Sequence, residues 1–190
     1  MADDQLTSMP PASDCTQPPM HKLDPADSCA MVIFGATGDL TKRLVMPALY
    51  NLSRSKTLPE NFALIGVARA DLTAETWRED LYRTLKSYVG NTGTTFGIDH
   101  LDEDVWQRLA GRMYYVRGDS TRPELYAALG GALDEAAKNH GTQGNAIFYL
   151  AVADKLFGPV VEQLGKSKLT EQGGDGVRRF WRRVVIEKPF

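Results

Sequence analysis

The sequence predicts an α/β fold: a doubly wound, Rossmann-like parallel sheet with helices on both faces. Three observations carry that expectation. Five apolar runs of strand length alternate with helix-patterned segments from residue 30 onward, the order that feeds crossover connections into a parallel sheet. The first run ends in Gly35-Ala36-Thr37-Gly38-Asp39-Leu40, a glycine-spaced turn that opens straight into a helical pattern. The fourth run, residues 146–152, is apolar without a break, as suits a strand covered on both faces.

Taken in order, residues 1–27 hold Pro10, Pro11, Pro18, Pro19 and Pro25, half of the 10 prolines. Such a stretch buries too little apolar area to offset its ordering entropy, so a disordered tail is expected, with residues 28–190 as the folded domain. It has neither the basic and apolar regions of a secretion signal nor the arginines of a transit peptide. The first strand is expected over residues 30–35, followed by a helix with Leu40, Leu44, Ala48 and Leu52 on one face. Pro47 removes an N–H inside that helix and should kink it near Arg43. A second strand spans 62–68, and Thr73 can cap a helix reaching Val89. Glycines at 90, 93 and 97 mark a loop before a short amphipathic helix carrying Leu101, Val105 and Leu109.

The third strand spans 113–117. Thr121-Arg122-Pro123-Glu124 has capping-box spacing and opens a helix striped by Leu125, Leu129, Leu133 and Ala136. After the fourth strand, Asp154 can cap a helix through Phe157, Val161 and Leu164, with Pro159 in its first turn. A glycine-rich loop at 171–176 leads to a fifth strand over 183–187.

Composition narrows the function classes. The 190 residues are 43% hydrophobic and 24% charged, with a formal net charge of -2, which gives no overall pull toward nucleic acid or an anionic membrane. No apolar run approaches the roughly 18 residues needed to span a bilayer. Cys15 and Cys29 show no metal-ligand spacing, so no metal is expected and a reduced, cytoplasmic setting is the reading. Arg178-Arg179-Phe180-Trp181-Arg182-Arg183 interleaves basic and aromatic residues as a single-strand nucleic-acid site would. The acidic balance instead favours a solvated entry into the fifth strand, with Phe180 and Trp181 packing on the sheet edge and no nucleic-acid partner.

In a doubly wound sheet, ligands bind beyond the carboxyl ends of the strands. The glycine turn lets backbone approach a pyrophosphate, and the helix behind it offers unpaired N–H groups. Gly35, Thr37, Gly38, Asp39 and Leu40 therefore line the first strand's end. A carboxylate beside a pyrophosphate would repel it, so Asp39 is expected to cap its own helix or to point away. Arg69 follows the second strand, where an NAD site usually carries a carboxylate for the ribose 2′-hydroxyl; its planar fork suits a 2′-phosphate, and so NADP. Asp71, two residues on, is the competing ribose carboxylate. Asp119 and Ser120 follow the third strand, Tyr149 lies in the fourth, and Lys188 ends the fifth, held extended by Pro189.

Gly35-Ala36-Thr37-Gly38-Asp39-Leu40, Gly66-Val67-Ala68-Arg69, Phe148-Tyr149-Leu150-Ala151 and Glu187-Lys188-Pro189-Phe190 together resemble the coenzyme domain of the glucose-6-phosphate dehydrogenases. The resemblance covers residues 30–190, and the last segment is the most specific. It implies NADP-dependent oxidation of glucose 6-phosphate at C1 to the lactone, the first step of the pentose phosphate pathway, in a full-length homo-oligomer. By position, it implies a pyrophosphate on the glycine turn and a 2′-phosphate on Arg69. Asp119 and Ser120 would line the adenine ribose, Tyr149 the nicotinamide half, and Lys188 both cofactor and sugar phosphate. The family's histidine base and substrate domain are expected beyond Phe190, so the 190 residues alone are expected to be inactive. His21, His100 and His140 fall at no predicted strand end. Asp154 and Thr41 depart from the family's usual proline and alanine. The alternative is a non-catalytic NADP-binding module.

Overall fold

The computed structural model describes residues 26–90, 98–173 and 180–187. Five strands, β1 (Cys29–Phe34), β2 (Phe62–Ala68), β3 (Met113–Arg117), β4 (Ala146–Leu150) and β5 (Arg182–Ile186), form one sheet in the order β3-β2-β1-β4-β5. Every pairing is parallel. Helices α1 (Met46–Arg54), α2 (Ala74–Tyr88) and α3 (Glu103–Ala110) pack on one face, with Ile33 and Leu64 among the sheet residues beneath them. On the other face lie α4 (Pro123–His140) and α5 (Phe157–Lys166), against Val32, Phe34, Ile65 and Phe148. Consecutive residues of β1 thus feed opposite cores, and Val32, Ile33 and Phe34 are each 0% exposed. Each such side chain contributes roughly 1.5–3 kcal/mol by leaving water, which makes the central strands the rigid part of the fold.

Chain order reverses between β1 and β4. β2 and β3 lie to one side of β1, β4 and β5 to the other. This is the switch point at which an open α/β sheet leaves a crevice.

Strand positions agree with expectation to within a residue or two, and so does the Thr73 cap, which forms a reciprocal box with Thr76. Four local expectations need correction. The stripe Leu40, Leu44, Ala48 and Leu52 faces outward for most of its length: Leu44 and Leu52 are 51% and 41% exposed, and Ala48 is exposed. The buried residues are Thr41, Val45, Met46, Leu49 and Tyr50, one position further round. Two interleaved stripes carry the same four-residue spacing, and tertiary bonds at the helix start select between them.

Pro47 does not simply kink the helix. Residues Thr41–Val45 form a π turn closed by the Met46 N–H on the Thr41 carbonyl, and Pro47 sits in the first turn of α1. The wider turn accommodates the missing donor and the ring near Arg43. The Thr121–Glu124 box does not form either. Thr121 instead gives its N–H and hydroxyl to Asp119 Oδ1 at 2.9 and 2.8 Å, and α4 begins at Pro123 without a side-chain cap. Asp154 accepts only from the adjacent Lys155 N–H at 2.7 Å, in a short 3₁₀ turn that precedes α5. Val161 is 40% exposed, while Val160 and Leu164 carry the buried face of α5. The tail up to residue 25, most of the loop at 90–97, the stretch 174–179 and Lys188 lie outside the described residues.

Candidate functional site

With all strands parallel, the register aligns Phe34 with Val67 and with Leu150, Ala68 with Arg117, and Leu150 with Ile186. One step beyond each lies Gly35, Arg69, Gly118, Ala151 or Glu187. The predicted site residues that are described therefore share one rim of the sheet, except Tyr149, which stands one residue inside β4.

The glycine turn is fixed by its backbone. The N–H groups of Gly35 and Ala36 both donate to the Val67 carbonyl, at 2.9 and 3.1 Å, and the Ala151 N–H donates to the Phe34 carbonyl at 2.9 Å. Gly35 has φ +89°, and a Cβ there would lie 2.1 Å from the Ala151 carbonyl oxygen. No other residue type fits. A Cβ on Gly38 would stand 3.1 Å from the Gly35 oxygen, a milder constraint.

The turn's carbonyls are drawn inward. Gly35 C=O accepts from the Thr41 hydroxyl at 3.0 Å and from the Gly38 N–H at 2.9 Å. Ala36 C=O accepts from the buried Trp77 indole N–H at 3.0 Å. Thr41 thus contributes a bond to the turn. The first bond of the following helix runs from the Lys42 N–H to the Gly38 carbonyl at 3.2 Å. Asp39, Leu40 and Thr41 are consequently its first residues, whose amides have no earlier carbonyl to meet. Inward carbonyls and orphan amides behind a turn that admits no Cβ fit the diphosphate of a dinucleotide. Asp39 does not cap its helix; it is exposed and pairs with Arg43 one turn along at 3.3 Å.

The adjoining part of the rim is built from side chains. Arg69 is exposed, and no ion pair holds it among the described residues. Asp71 is engaged by Arg117 at 2.6 Å. That pairing is absent from any local motif, since 46 positions separate the two residues. Asp119 is held below the ordinary carboxylate range by its two bonds from Thr121, with smaller contributions from Arg69 and Arg122. The Ser120 carbonyl accepts from Tyr126 at 2.6 Å; burial pushes that phenol up to about 12. On the far side of the switch point, the Tyr149 hydroxyl donates to Glu187. Burial, and then that bond, raise its pKa, so it remains a protonated donor.

Neither described histidine stands on the rim. His140 ends α4 beside Tyr114, its neighbour Gly141 lies near Asn61 at the opposite end of the strands, and burial lowers the His140 pKa. His100 is exposed in the segment before α3. No group of three or more His, Cys, Asp or Glu among the described residues could hold a metal, and no described helix is long and apolar enough to cross a membrane. In the basic–aromatic cluster, the Arg183 guanidinium lies 4.4 Å from the centre of the Trp181 ring and Arg182 lies 5.2 Å from that of Phe180. Those rings are already stacked by the chain's own arginines. Surface grooves of about 740, 630 and 790 Å³ run between α4 and α5, below the start of β2 and along β3; none includes the glycine turn.

Comparison with known proteins agrees with this geometry. Residues 32–190 match the family described as glucose-6-phosphate dehydrogenase, NAD binding domain. A glucose-6-phosphate 1-dehydrogenase of Chlamydia muridarum is 35% identical over 162 residues, 85% of this chain and 30% of that protein. A crystal structure of the Mycobacterium avium enzyme superposes with a TM-score of 0.66 at 34% identity, covering 86% of this chain and 30% of the other. A glucose-6-phosphate dehydrogenase solved with its substrate glucose-6-phosphate gives 0.68 at 27% identity, over 88% and 31%. The chain thus spans about 30% of the length of the relatives it matches. With the family match extending over nearly the whole of the folded sheet, the chain belongs to the glucose-6-phosphate dehydrogenase family.

Proposed function

We propose that this chain is the NADP-holding part of an enzyme that oxidises glucose 6-phosphate at C1 to the 6-phosphogluconolactone, as the entry reaction of the pentose phosphate pathway. The observation that carries it is the pairing of an orphan-amide glycine turn with an arginine at the next strand end that no ion pair holds among the described residues. In this reading the amides after Gly38, with Thr37, hold the diphosphate, Gly35 makes the close turn that admits it, and Leu40 and Asp39 border it. Arg69 receives the 2′-phosphate. Asp119 and Ser120 border the adenine ribose.

The preference for NADP over NAD rests on charge. The carboxylate that could accept from a ribose 2′-hydroxyl, Asp71, is neutralised by Arg117 at 2.6 Å. Arg69 stays available for a phosphate, whose oxygens a guanidinium binds in bidentate fashion. Tyr149, tied to Glu187, borders the nicotinamide half, and Lys188 serves cofactor and sugar phosphate together. When bound, the nicotinamide supplies the hydride acceptor, and the protein's task is positioning and proton removal. Neither described histidine reaches the rim, so the 190 residues are assigned binding without turnover. The domain is read as residues 28–190, acting in the cytoplasm within a homo-oligomer and without nucleic-acid, membrane or metal partners.

Calorimetric titration of the chain with NADP⁺ and NAD⁺, beside an assay for NADPH formation from glucose 6-phosphate, tests this. The expected result is NADP⁺ binding tighter than NAD⁺ and no NADPH. Absence of binding by either dinucleotide would overturn the assignment of the turn, and turnover would overturn the assignment of binding alone.

A further inference from the structure

The geometry points to a positioning role for the aromatic pair Trp77 and Tyr115, which holds the two halves of the rim at a fixed separation. The inference rests on the dinucleotide reading above and deepens it. Neither side chain lines the rim, and no local motif marks either.

Trp77 lies on α2 and is 0% exposed. Its indole N–H donates to the Ala36 carbonyl, inside the glycine turn, at 3.0 Å across 41 positions of sequence. Tyr115 lies on β3, and its hydroxyl donates to the Ala70 carbonyl, in the loop that carries Arg69 and Asp71, at 2.9 Å. The two rings meet with centroids 5.6 Å apart and planes inclined at 43°, a contact that favours a definite mutual orientation. Beneath them is Gly66, where a Cβ would fall 2.5 Å from Trp77 Cη2 and 2.9 Å from Ala36 Cβ. The ring therefore rests directly on β2, one strand over from the turn it anchors.

Each bond removes one carbonyl from the ligand side. A carbonyl oxygen free to swing toward a phosphate would repel it. The Trp77 bond keeps the Ala36 oxygen inward, so that the amides beyond face the diphosphate. The Tyr115 bond, together with one from the Leu72 N–H at 3.0 Å, keeps the Ala70 oxygen inward, which sets the direction in which Arg69 leaves the backbone. Because the rings touch, the spacing between the diphosphate and 2′-phosphate positions is fixed by packing rather than by loop entropy.

This arrangement makes a selective prediction. NADP and NAD share the diphosphate and differ at the 2′-phosphate, so the two hydroxyl- or N–H-deleting variants should act differently. In the 190-residue chain, Tyr115→Phe should weaken NADP⁺ binding about fivefold while leaving NAD⁺ within about twofold, the scale of one lost hydrogen bond. Trp77→Phe should weaken both dinucleotides by about the same factor, fivefold or more, since a buried carbonyl loses its partner. Calorimetry measures the four affinities, and thermal unfolding of each variant reports the loss of stability separately. With only a packing role, Tyr115→Phe would move both ligands together, and replacing Trp77 by benzothienylalanine, which keeps the ring and removes only the N–H, would leave both affinities unchanged.

Should Trp77→Phe fail to fold, benzothienylalanine at position 77 keeps the ring shape and removes only the N–H. If Tyr115→Phe changes both dinucleotides alike, or neither variant changes any affinity, the positioning role is wrong while the dinucleotide site stands. Wild-type chain that binds neither dinucleotide removes both readings at once.

Discussion

The two halves of the rim are built from different materials. Around Gly35 and Gly38 the proposed ligand-facing groups are backbone amides, set by hydrogen bonds that the turn gives to the Val67 carbonyl and receives from Thr41 and Trp77. Around Arg69, Asp71, Arg117 and Asp119 they are exposed or half-exposed side chains, whose mutual pairing decides what charge the pocket presents. The first half is part of the fold, and a change there acts through the structure of the sheet. The second half can be re-charged with little effect on folding. In the proposed reading, shape for the group common to all dinucleotides is thus separated from the charge that distinguishes them.

The strongest test of that separation is Gly35→Ala. The new Cβ has no room against the Ala151 carbonyl and the backbone φ is +89°. A cost of about 3 kcal/mol or more is expected from strain and overpacking together. Urea unfolding should show a lower midpoint, and any chain that remains folded should lose NADP⁺ and NAD⁺ equally. A Gly35→Ala chain of wild-type stability would mean that β1 and β4 are not in such close contact at the turn.

Next in size is Arg69→Ala. A charge-assisted contact contributes about 1.5–3 kcal/mol, so NADP⁺ affinity should fall roughly 10- to 100-fold. NAD⁺ affinity and the unfolding midpoint should hardly move, because Arg69 is exposed and no ion pair restrains it among the described residues. An equal loss for both dinucleotides, read by titration, would move Arg69 out of its role.

A smaller effect should come from Arg117→Ala, which releases the Asp71 carboxylate. Exposed ion pairs are worth about 0.2–1 kcal/mol, so NADP⁺ binding should weaken up to about fivefold and NAD⁺ binding should hold or tighten. The double variant Arg117→Ala with Asp71→Asn should restore most of the NADP⁺ loss, since no free carboxylate remains. If it does not, Arg117 acts on the phosphate directly and not through Asp71.

How much of this could be read from residues alone follows the same division. Strands buried on both faces are continuous apolar runs, so β1, β2 and β4 announce themselves, and the glycine spacing after β1 fixes where the chain must turn. The outward turn of Leu44 and Leu52 could not be read, because Thr41, Val45 and Leu49 repeat with the same period. The choice is made by the Thr41 hydroxyl on Gly35 C=O, a tertiary bond. The failed box at Thr121 has a local cause: the Asp119 carboxylate, two residues earlier, accepts the Thr121 N–H that the Glu124 carboxylate would have accepted in the box. Arg117 with Asp71, and Trp77 with Ala36, join segments more than 40 positions apart. Only the order of strands in space brings them together.

The smallest expected effect concerns Asp119, which belongs to the side-chain half yet is held by a local turn. Its carboxylate is stabilised in the folded chain first by the Thr121 N–H and hydroxyl, so its folded pKa lies below its unfolded one. Stability from such a group is fully present above the unfolded carboxylate pKa, near 4, and is lost as pH falls through the folded value. Asp119→Asn keeps an acceptor oxygen but removes the titration. Near neutral pH the wild-type chain should therefore be the more stable by only a few tenths of a kcal/mol, given how exposed the group is. That margin should shrink on acidification below about pH 4. Urea unfolding of both chains at neutral pH and through the acid range measures it. A margin that widens with acid would mean that the Thr121 bonds favour the protonated carboxyl, and Asp119 could then carry no fixed negative charge beside Arg69.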